Sequence, residues 1–229
     1  MCTDTNNPVI AIDGPAASGK STVARALAER LGFLHVDSGA FYRGVTWWCL
    51  QQGMDPPGGT EPPAALAAVP WSFSTTAGSV VFTLAGQDPG IALRAGDVAA
   101  RVSDYATSAA VRALVNQKLR ALQSMGPLVV EGRDIGTVVF PATAHKFYID
   151  ADPAERARRR AVDLERLAQP QAQQEVLEAL RQRDHQDRTR RCDPLRRAPD
   201  AVVLDTTHLS VDEVVERLLQ ALSARGIAP

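Results

Sequence analysis

The chain has 229 residues, of which 45% are hydrophobic and 22% are charged, and its formal net charge is -1. This length accommodates one globular core with an inserted lobe. The near-neutral charge argues against a protein that binds nucleic acid through an overall positive field. Arginines are nevertheless concentrated in residues 156–197, which indicates a compact anionic ligand and not a long polyanion.

The three cysteines, Cys2, Cys49 and Cys192, are widely spaced and form no CxxC pair. This arrangement predicts neither a disulfide scaffold nor a zinc site and is typical of a reducing compartment. No apolar run approaches the length of a membrane span. Residues 1–8 lack the basic-then-apolar pattern of a signal peptide. We therefore expect a cytoplasmic protein.

The first fifty residues alternate between strand and helix patterns. Residues 9–13 form a β-branched apolar run, and apolar residues then recur at helical spacing from Gly19 to Leu31, where Gly32 ends the pattern. A second apolar run covers residues 33–36, and residues 40–51 are predicted to be helical. This order predicts an open parallel sheet with helices packed on it.

The pattern changes after the turn-rich residues 54–60. Residues 71–75 and 80–85 alternate in polarity around a turn, which predicts an antiparallel hairpin inserted into the α/β chain. Helices are predicted next at 97–105 and 108–123, followed by strands at 128–131 and 146–150. An arginine-rich helix is predicted after Asp152-Pro153, and Gln169-Pro170 interrupts it. The predicted elements end with a helix through Arg183, Asp187 and Arg190, a strand at 201–205 and a helix at 211–222.

Residues 14–21, GPAASGKS, match the pattern GxxxxGK[ST] at every fixed position. A predicted strand precedes the loop and a predicted helix follows it, which is the context in which this pattern binds nucleotide phosphates. Backbone amides and the helix N-terminus would surround the phosphates, Lys20 would add a positive charge, and Ser21 would coordinate Mg²⁺. The alternative is a glycine-rich turn that binds nothing. The predicted ATP-binding residues of the loop are Gly14, Pro15, Ala16, Ala17, Ser18, Gly19, Lys20 and Ser21.

The loop predicts binding of a nucleoside triphosphate but does not identify the reaction. The chain has no guanine-reading NKxD motif and is short for a motor ATPase. It does have three acid–arginine clusters, at residues 37–43, 133–134 and 183–190. These clusters favour transfer to a phosphate, because a phosphate monoester is nucleophilic at neutral pH and arginine binds phosphate through a planar fork. The four histidines are predicted to be structural or exposed.

Six segments together resemble the bacterial cytidylate kinases: IAIDGPAASGKSTVARALA (10–28), DSGAFYR (37–43), EGRDIGTVVFP (131–141), DADPAERARRR (150–160), RDHQDRTR (183–190) and APDAVVLDTTHLSVDEV (198–214). The resemblance runs nearly end to end. It implies an α/β fold of the P-loop NTPase type, with a parallel sheet core and helices on both faces. It also implies a P-loop core at 1–37 and 113–229, a monophosphate-binding region at 38–112 with a β lobe at about 62–95, and an arginine-rich lid at about 151–170.

The resemblance also implies how the acceptor is bound. Arg43 matches the ligand of the acceptor phosphate, and Ser38 and Tyr42 line the same pocket. The positions that read cytosine are Ser103, Arg112 and Asp134. A carboxylate there would accept a hydrogen bond from the exocyclic amine of cytosine, where uracil has an acceptor. The other implied CMP contacts are Gly132, Arg133 towards the phosphate, Arg183 and Asp187 at the ribose, and Arg190, with Arg188, at the phosphate or base.

The arginine run 156–160 resembles a lid that folds over ATP and excludes water. The catalytic set implied by the resemblance is Lys20, Arg133, Arg156 and Arg160, and Thr22 and Arg159 join the ATP-binding residues. Ser21 stands where many family members have glycine, which leaves either Ser21 or Thr22 as the Mg²⁺ ligand. Three alternatives are less specific: Asp134 as a helix cap, Arg158 and Arg159 on a solvated helix face, and Arg188 as a surface residue.

The implied function is transfer of the γ-phosphate of ATP to CMP or dCMP, with Mg²⁺, by a monomer that has no nucleic-acid or membrane partner. A kinase for another acceptor, such as UMP or shikimate, is a near alternative, although the base-reading residues argue against shikimate. A nucleic-acid-binding module that uses residues 156–197 would leave the phosphate loop without a role. A nucleotide-dependent regulatory switch would need a partner surface that the sequence does not identify.

Overall fold

The computed structural model describes residues 7–166 and 172–227, except for the side chain of Arg166. A seven-stranded sheet with the order β3-β4-β2-β5-β1-β6-β7 forms its centre. The strands are β1 (Val9–Asp13), β2 (Leu34–Asp37), β3 (Trp71–Thr76), β4 (Ser79–Leu84), β5 (Leu128–Gly132), β6 (His145–Asp150) and β7 (Val202–Asp205). Every neighbouring pair is parallel except β3 and β4. The predicted parallel sheet is therefore confirmed.

Helices cover both faces of this sheet. The α-helices of the described ranges are α1 (Lys20–Leu31), α2 (Ser38–Gln51), α3 (Ala64–Ala67), α4 (Gly96–Thr107), α5 (Ala109–Ala121), α6 (Pro153–Arg166), α7 (Gln173–Thr189) and α8 (Val211–Ser223). Short 3-10 turns lie at Gly90–Arg94 and Leu122–Met125, and one π-helical turn covers Ile135–Val139. The interruption predicted at Gln169-Pro170 lies outside the described residues. Among the helices that the structure describes, none combines the length and the apolar character needed to cross a membrane.

Strand β1 is buried on both faces because its side chains alternate between two apolar cores. Ile10 and Ile12 pack with α1 and α8 on one face. Val9 and Ala11 pack with α2 and α5 on the other. The carboxyl end of β1 is thereby held rigidly between two helical layers, and the phosphate loop begins there.

The predicted hairpin is present but continues the central sheet. Ser79 of β4 pairs with His35 of β2, and the His35 amide donates to the Gly78 carbonyl at 2.9 Å. The rings of Trp71 and Phe82 pack against Phe41 of α2, with centroids 5.6 and 4.8 Å apart. The hairpin therefore supports the helix that carries the predicted acceptor residues. The division of the chain into two domains stays a prediction.

Helix α2 begins two residues earlier than its apolar pattern indicated. Asp37 is its N-cap, and the Asp37 carboxylate accepts a hydrogen bond from the Ala40 amide at 3.1 Å. This bond satisfies an amide that has no partner within the helix, so the helix can start at Ser38. Because β2 ends at Asp37, no linker separates the strand from the helix.

Candidate active site

The phosphate loop joins β1 to α1, as its sequence pattern predicted. Ala17 and Gly19 have positive φ angles of 58° and 88°, so the chain turns sharply before the helix begins. Gly14 has no room for a side chain, because a Cβ there would lie 2.0 Å from the Ile149 carbonyl oxygen. The Ser18 hydroxyl is buried without a hydrogen-bond partner. The backbone of the loop thus packs closely against Ile149, and the Ser18 hydroxyl has a free hydrogen-bonding position that a ligand can fill.

Lys20 is the first residue of α1 and only 5% exposed. Its Nζ donates to the Pro15 carbonyl across the loop at 2.8 Å. Burial, reinforced by the positive charges of Arg133 and Arg183, lowers the pKa of Lys20 from 10.5 to about 7. The surrounding positive charge favours the neutral amine form of Lys20. Binding of a phosphate nearby would favour the charged ammonium form.

Asp13, at the end of β1, connects the phosphate loop to the GRD segment. Its buried carboxylate accepts hydrogen bonds from the amides of Ile135 and Gly136, both at 2.8 Å. Burial raises the pKa of Asp13 to about 7, although these two bonds oppose the shift. Asp13 rather than Asp134 thus caps the turn after β5, since Asp134 makes no side-chain capping bond. The capping alternative for Asp134 is wrong.

The start of α2 places Ser38 and Arg43 beside the end of β5. The Ser38 hydroxyl donates to the Glu131 carbonyl at 2.6 Å. Arg43 Nη2 lies 2.6 Å from Asp37 Oδ2, and its Nε is buried without a partner. A Cβ on Gly39 would lie 3.0 Å from both Arg43 Nη1 and Asp37 Oδ1. The lack of a side chain at Gly39 therefore leaves space for the Arg43–Asp37 pair.

Three of the residues predicted to contact the base or the phosphate form one buried network. Arg112 Nη2 donates to Asp134 Oδ2 at 2.5 Å, and Arg190 Nη2 lies 3.4 Å from Asp134 Oδ1. The Arg112 guanidinium also stacks on Tyr42, with its Cζ 5.2 Å from the ring centroid. Ser103 is partly buried on α4, and no hydrogen bond within the described ranges joins it to this network.

Arg133 and Asp187 form a second ion pair, with Nε 2.8 Å from Oδ2. Burial would raise the pKa of Asp187, but Arg133, together with the charges of Arg183 and Arg190, outweighs burial and lowers the pKa. Arg183 lies on the same helix as Asp187, and burial together with the charge of Arg133 lowers its pKa to about 10. Arg43 and Arg160 act in the same direction on Arg183. The structure therefore brings together guanidinium groups from four separate segments.

The first lid arginine, Arg156, lies against the phosphate loop. Arg156 is 6% exposed, and its Nη1 lies 2.5 Å from Asp184 Oδ2 and 3.2 Å from the Ala16 carbonyl oxygen. Asp184 Oδ1 accepts from the Ala16 amide at 3.3 Å. Arg156 therefore supports the backbone of the phosphate loop. Its catalytic role stays a prediction. The sequence reasoning did not identify Asp184, although it lies between Arg183 and Asp187 on one helix.

The other lid arginines differ from one another. Arg158 has a side chain that is 61% exposed and pairs with Glu155, as expected for a solvated helix face. Arg159 instead donates to the carbonyls of Ser18 at 3.3 Å and Thr206 at 2.6 Å. Arg160 is partly exposed, and Arg188 is exposed, which agrees with its surface interpretation.

A cavity of about 650 Å³ opens beside the phosphate loop between α6 and the start of α8. Its walls come from the loop and α1, from α6, and from the segment before α8: Ser18, Gly19, Thr22, Val23, Glu155, Arg158, Arg159, Val162, Asp163, Thr206, Thr207, His208, Leu209, Ser210, Val211 and Val214. The sequence reasoning assigned no role to residues 206–211. Their only sequence signal is that they fall within the segment 198–214 that resembles the family.

Comparisons with known proteins identify the family to which the sequence is similar. The sequence model of the family described as cytidylate kinase matches residues 10–224. A bifunctional pantoate ligase/cytidylate kinase from Parasynechococcus marenigrum (strain WH8102) is 44% identical over 223 residues, which are 96% of this chain and 44% of that protein. A cytidylate kinase from Solibacter usitatus (strain Ellin6076) is 40% identical over 219 residues, which are 95% of this chain and 93% of that protein.

The chain thus spans less than half the length of the bifunctional relatives that it matches. Among solved structures, TT1252 from Thermus thermophilus has the same fold, with a TM-score of 0.50 and 21% identity over 96% of this chain and 98% of that one. The family model covers nearly all of the sequence. The matched residues include the phosphate loop, the network of Arg112, Asp134 and Arg190, and the Arg133–Asp187 pair. The chain therefore belongs to the cytidylate kinase family.

Proposed function

We propose that this chain transfers the γ-phosphate of ATP to CMP or dCMP, giving ADP and CDP or dCDP. One observation carries the proposal: Asp13 bonds the segment that contains Arg133 to the strand before the phosphate loop, and Asp184 bonds the helix that contains Arg183 to the loop itself. These arginines come from the two segments predicted to hold the acceptor. The positively charged side chains that would bind the two phosphorylated substrates thus lie in one region, as phosphoryl transfer requires. The family and the names of the relatives support the same substrates.

In the proposed reaction an oxygen of the acceptor phosphate attacks the γ-phosphorus of ATP. The bond between that phosphorus and the β–γ bridging oxygen breaks, and its electron pair stays on ADP. No catalytic base is needed, because a phosphate monoester is largely dianionic at neutral pH. Loop amides and Lys20 would hold the donor, and Arg133, Arg183 and Arg43 would offset the negative charge between the substrates.

Mg²⁺ is the expected cofactor because it accompanies ATP in phosphoryl transfer. Lys20 is followed on the first turn of α1 by the exposed hydroxyls of Ser21 and Thr22. Oxygen atoms of this kind, together with substrate phosphates, are the ligands that Mg²⁺ prefers. The donor set therefore fits the ion, which would neutralise phosphate charge when bound. Thr22 also borders the cavity beside the loop, which we assign to the ATP nucleoside.

We assign the Arg112–Asp134 pair to the acceptor base. An Asp134 carboxylate that accepts from the cytosine amine would meet an oxygen if uracil were bound, and two acceptors repel each other. Ser103 stays part of this assignment as a prediction. Arg43 and Arg133 are assigned to the acceptor phosphate. The other implied CMP contacts complete the site: Ser38, Tyr42, Gly132, Arg183, Asp187 and Arg190.

We further propose that the protein acts in the cytoplasm as a monomer and has no nucleic-acid partner. The last point is supported by the way the arginines are used. Arg156, Arg159 and Arg190 of the arginine-rich stretch hydrogen-bond within the protein and are therefore not available to bind a nucleic acid. The division into a P-loop core and a monophosphate-binding region belongs to the same proposal.

A coupled assay of ADP release tests the function directly. Wild-type protein with ATP and Mg²⁺ is given CMP, dCMP, UMP, AMP, GMP or shikimate in turn. We expect turnover with CMP or dCMP well above the rate with the other acceptors. Lys20→Ala is the control for contaminating kinases and should show no transfer while it remains folded by circular dichroism. A preference for shikimate or UMP, or activity that persists in Lys20→Ala, would contradict the proposal.

A further inference from the structure

Asp193 lies in the loop that follows α7, and no sequence pattern singled it out. Its φ angle is +47°, a left-handed conformation that side-chain-bearing residues seldom adopt. Asp tolerates this region better than most residues. The loop is anchored to α7 through the Leu195 amide, which donates to the Asp187 carbonyl at 2.7 Å. The unusual backbone conformation is therefore maintained by its surroundings.

Two atoms of Asp193 bind the two arginines of the base-reading network. Its Oδ2 accepts from Arg112 Nε at 2.7 Å. Its carbonyl oxygen accepts from Arg190 Nε at 2.8 Å and from Arg190 Nη2 at 2.5 Å. Arg112 and Arg190 are the same two arginines that contact Asp134. Asp193 thus binds Arg112 through Nε, an atom that Asp134 does not use, and it shares Arg190 Nη2 with Asp134.

Arg112 pairs with the carboxylates of both Asp134 and Asp193, whereas Arg190 pairs with those of Asp134 and Asp187. The Arg112 side chain is 2% exposed, so its Nε would lose a buried acceptor if the Asp193 carboxylate were removed. Arg112 would then turn towards Asp134, the other carboxylate that it already touches. A carboxylate has about four acceptor positions, and a second bond from Arg112 would occupy one that a base amine needs.

We propose that Asp193 is a positioning residue for base selection. By holding Arg112 Nε, it limits Arg112 to one contact with Asp134 and leaves the remaining lone pairs of Asp134 free for the exocyclic amine of cytosine. This inference rests on the proposed function, because it takes the Arg112–Asp134 pair to face the acceptor base. In this proposal Asp193 acts on the base through Arg112 and does not itself contact the base.

The experiment compares Asp193→Asn and Asp193→Gly with the wild type. Both replacements tolerate a positive φ angle, so they remove the charge without imposing new backbone strain, and the carbonyl contact with Arg190 remains. Asp200→Asn is the matched control, because it removes an aspartate that pairs with Lys146 outside the site. Dissociation constants for CMP and UMP are measured by calorimetry without ATP, and KM values for CMP and ATP are measured separately.

We expect Asp193→Gly to weaken CMP binding about ten- to a hundredfold, which is the usual range for a lost bond to a charged group, and Asp193→Asn to weaken it less, because its amide oxygen can still accept from Arg112 Nε. UMP binding should change much less, so the CMP-to-UMP ratio should fall, while KM for ATP and the behaviour of Asp200→Asn should match the wild type. An unchanged ratio in both variants would overturn the inference, whatever happens to CMP affinity. A protein that binds CMP with this selectivity but transfers no phosphate would overturn the proposed function and leave this inference intact.

Discussion

Arg156 and Asp184 together hold one residue of the phosphate loop, Ala16, by both of its backbone polar groups. Arg156 Nη1 donates to the Ala16 carbonyl, Asp184 Oδ1 accepts from the Ala16 amide, and the two side chains form an ion pair of 2.5 Å. Arg156 belongs to α6 and Asp184 to α7. Both arginine-rich helices therefore contact the phosphate loop at the same residue, Ala16.

Asp184→Asn should destabilise the protein by about 3–5 kcal/mol, because it leaves the Arg156 charge buried without a counter-charge. KM for ATP should rise at the same time, since the loop loses its support. Urea unfolding followed by circular dichroism measures the first effect. Arg158→Ala is the control, because its pair with Glu155 is exposed and should contribute less than about 1 kcal/mol. Equal stability of the two variants would refute this account of the pair.

ATP binding should take up a proton at pH 8. The pKa of Lys20 is about 7 in the free protein, so Lys20 is mostly neutral at pH 8, and the ATP phosphates would draw it back to its charged form. Below pH 6 the lysine is already charged, so the uptake should vanish. Calorimetry in buffers of different ionisation enthalpy counts the protons.

Lys20→Arg is the decisive control for this proton uptake, because arginine stays charged in both states. The uptake at pH 8 should disappear in this variant. If it persists, the proton goes to another group, of which Asp13 is the nearest candidate because its pKa is also about 7. That result would contradict the assignment to Lys20.

Arg43→Ala should lower kcat/KM for CMP on the order of a hundredfold while KM for ATP stays near the wild-type value. Gly39→Ala should have a smaller effect in the same direction, because its methyl group would press on the Arg43–Asp37 pair at 3.0 Å. Steady-state kinetics with each substrate varied separate the two constants. Arg30→Ala removes an exposed arginine that pairs with Glu216 and should be silent. Normal CMP kinetics in Arg43→Ala would remove Arg43 from the acceptor site.

Asp134→Asn should reduce selectivity for CMP over UMP by roughly tenfold or more, since an amide can donate to the uracil oxygen where the carboxylate cannot. The ratio of kcat/KM values for the two nucleotides is the relevant measurement. Asp104→Asn, on the exposed side of α4, provides a control that should leave the ratio unchanged. If Asp134→Asn also leaves it unchanged, Asp134 does not read the base.

Gly14→Ala should destabilise the fold by about 1–3 kcal/mol or more, because its Cβ would lie 2.0 Å from a backbone carbonyl that cannot swing aside. Gly58→Ala is the matched substitution, because no atom lies within 4 Å of its Cβ position. Chemical denaturation of the two variants compares the same methyl group in a packed and an open site. Similar unfolding free energies would show that the loop can relax around the added group.

The elements that could be predicted from sequence are those whose cause is local. The run 9–13, the pattern GPAASGKS and the helical spacing up to Gly32 specify strand, loop and helix without any distant contact, and the structure has the strand at the same residues. The hairpin at residues 71–85 is likewise encoded by its own alternation and turn. Its attachment to β2 is not, because one bridging pair at a sheet edge leaves no sequence pattern.

The contacts that complete the site were decided by the tertiary structure. Asp13 binds an amide 122 residues away, Asp184 one 168 residues away, and Asp193 an arginine 81 residues away. Helical periodicity indicates which residues share a face, but not which atoms of another segment that face will meet. The sequence alone therefore determined that the chain has a phosphate loop and an excess of arginine. Which arginines support the loop and which line the proposed acceptor site depends on how α6 and α7 pack against the end of the sheet.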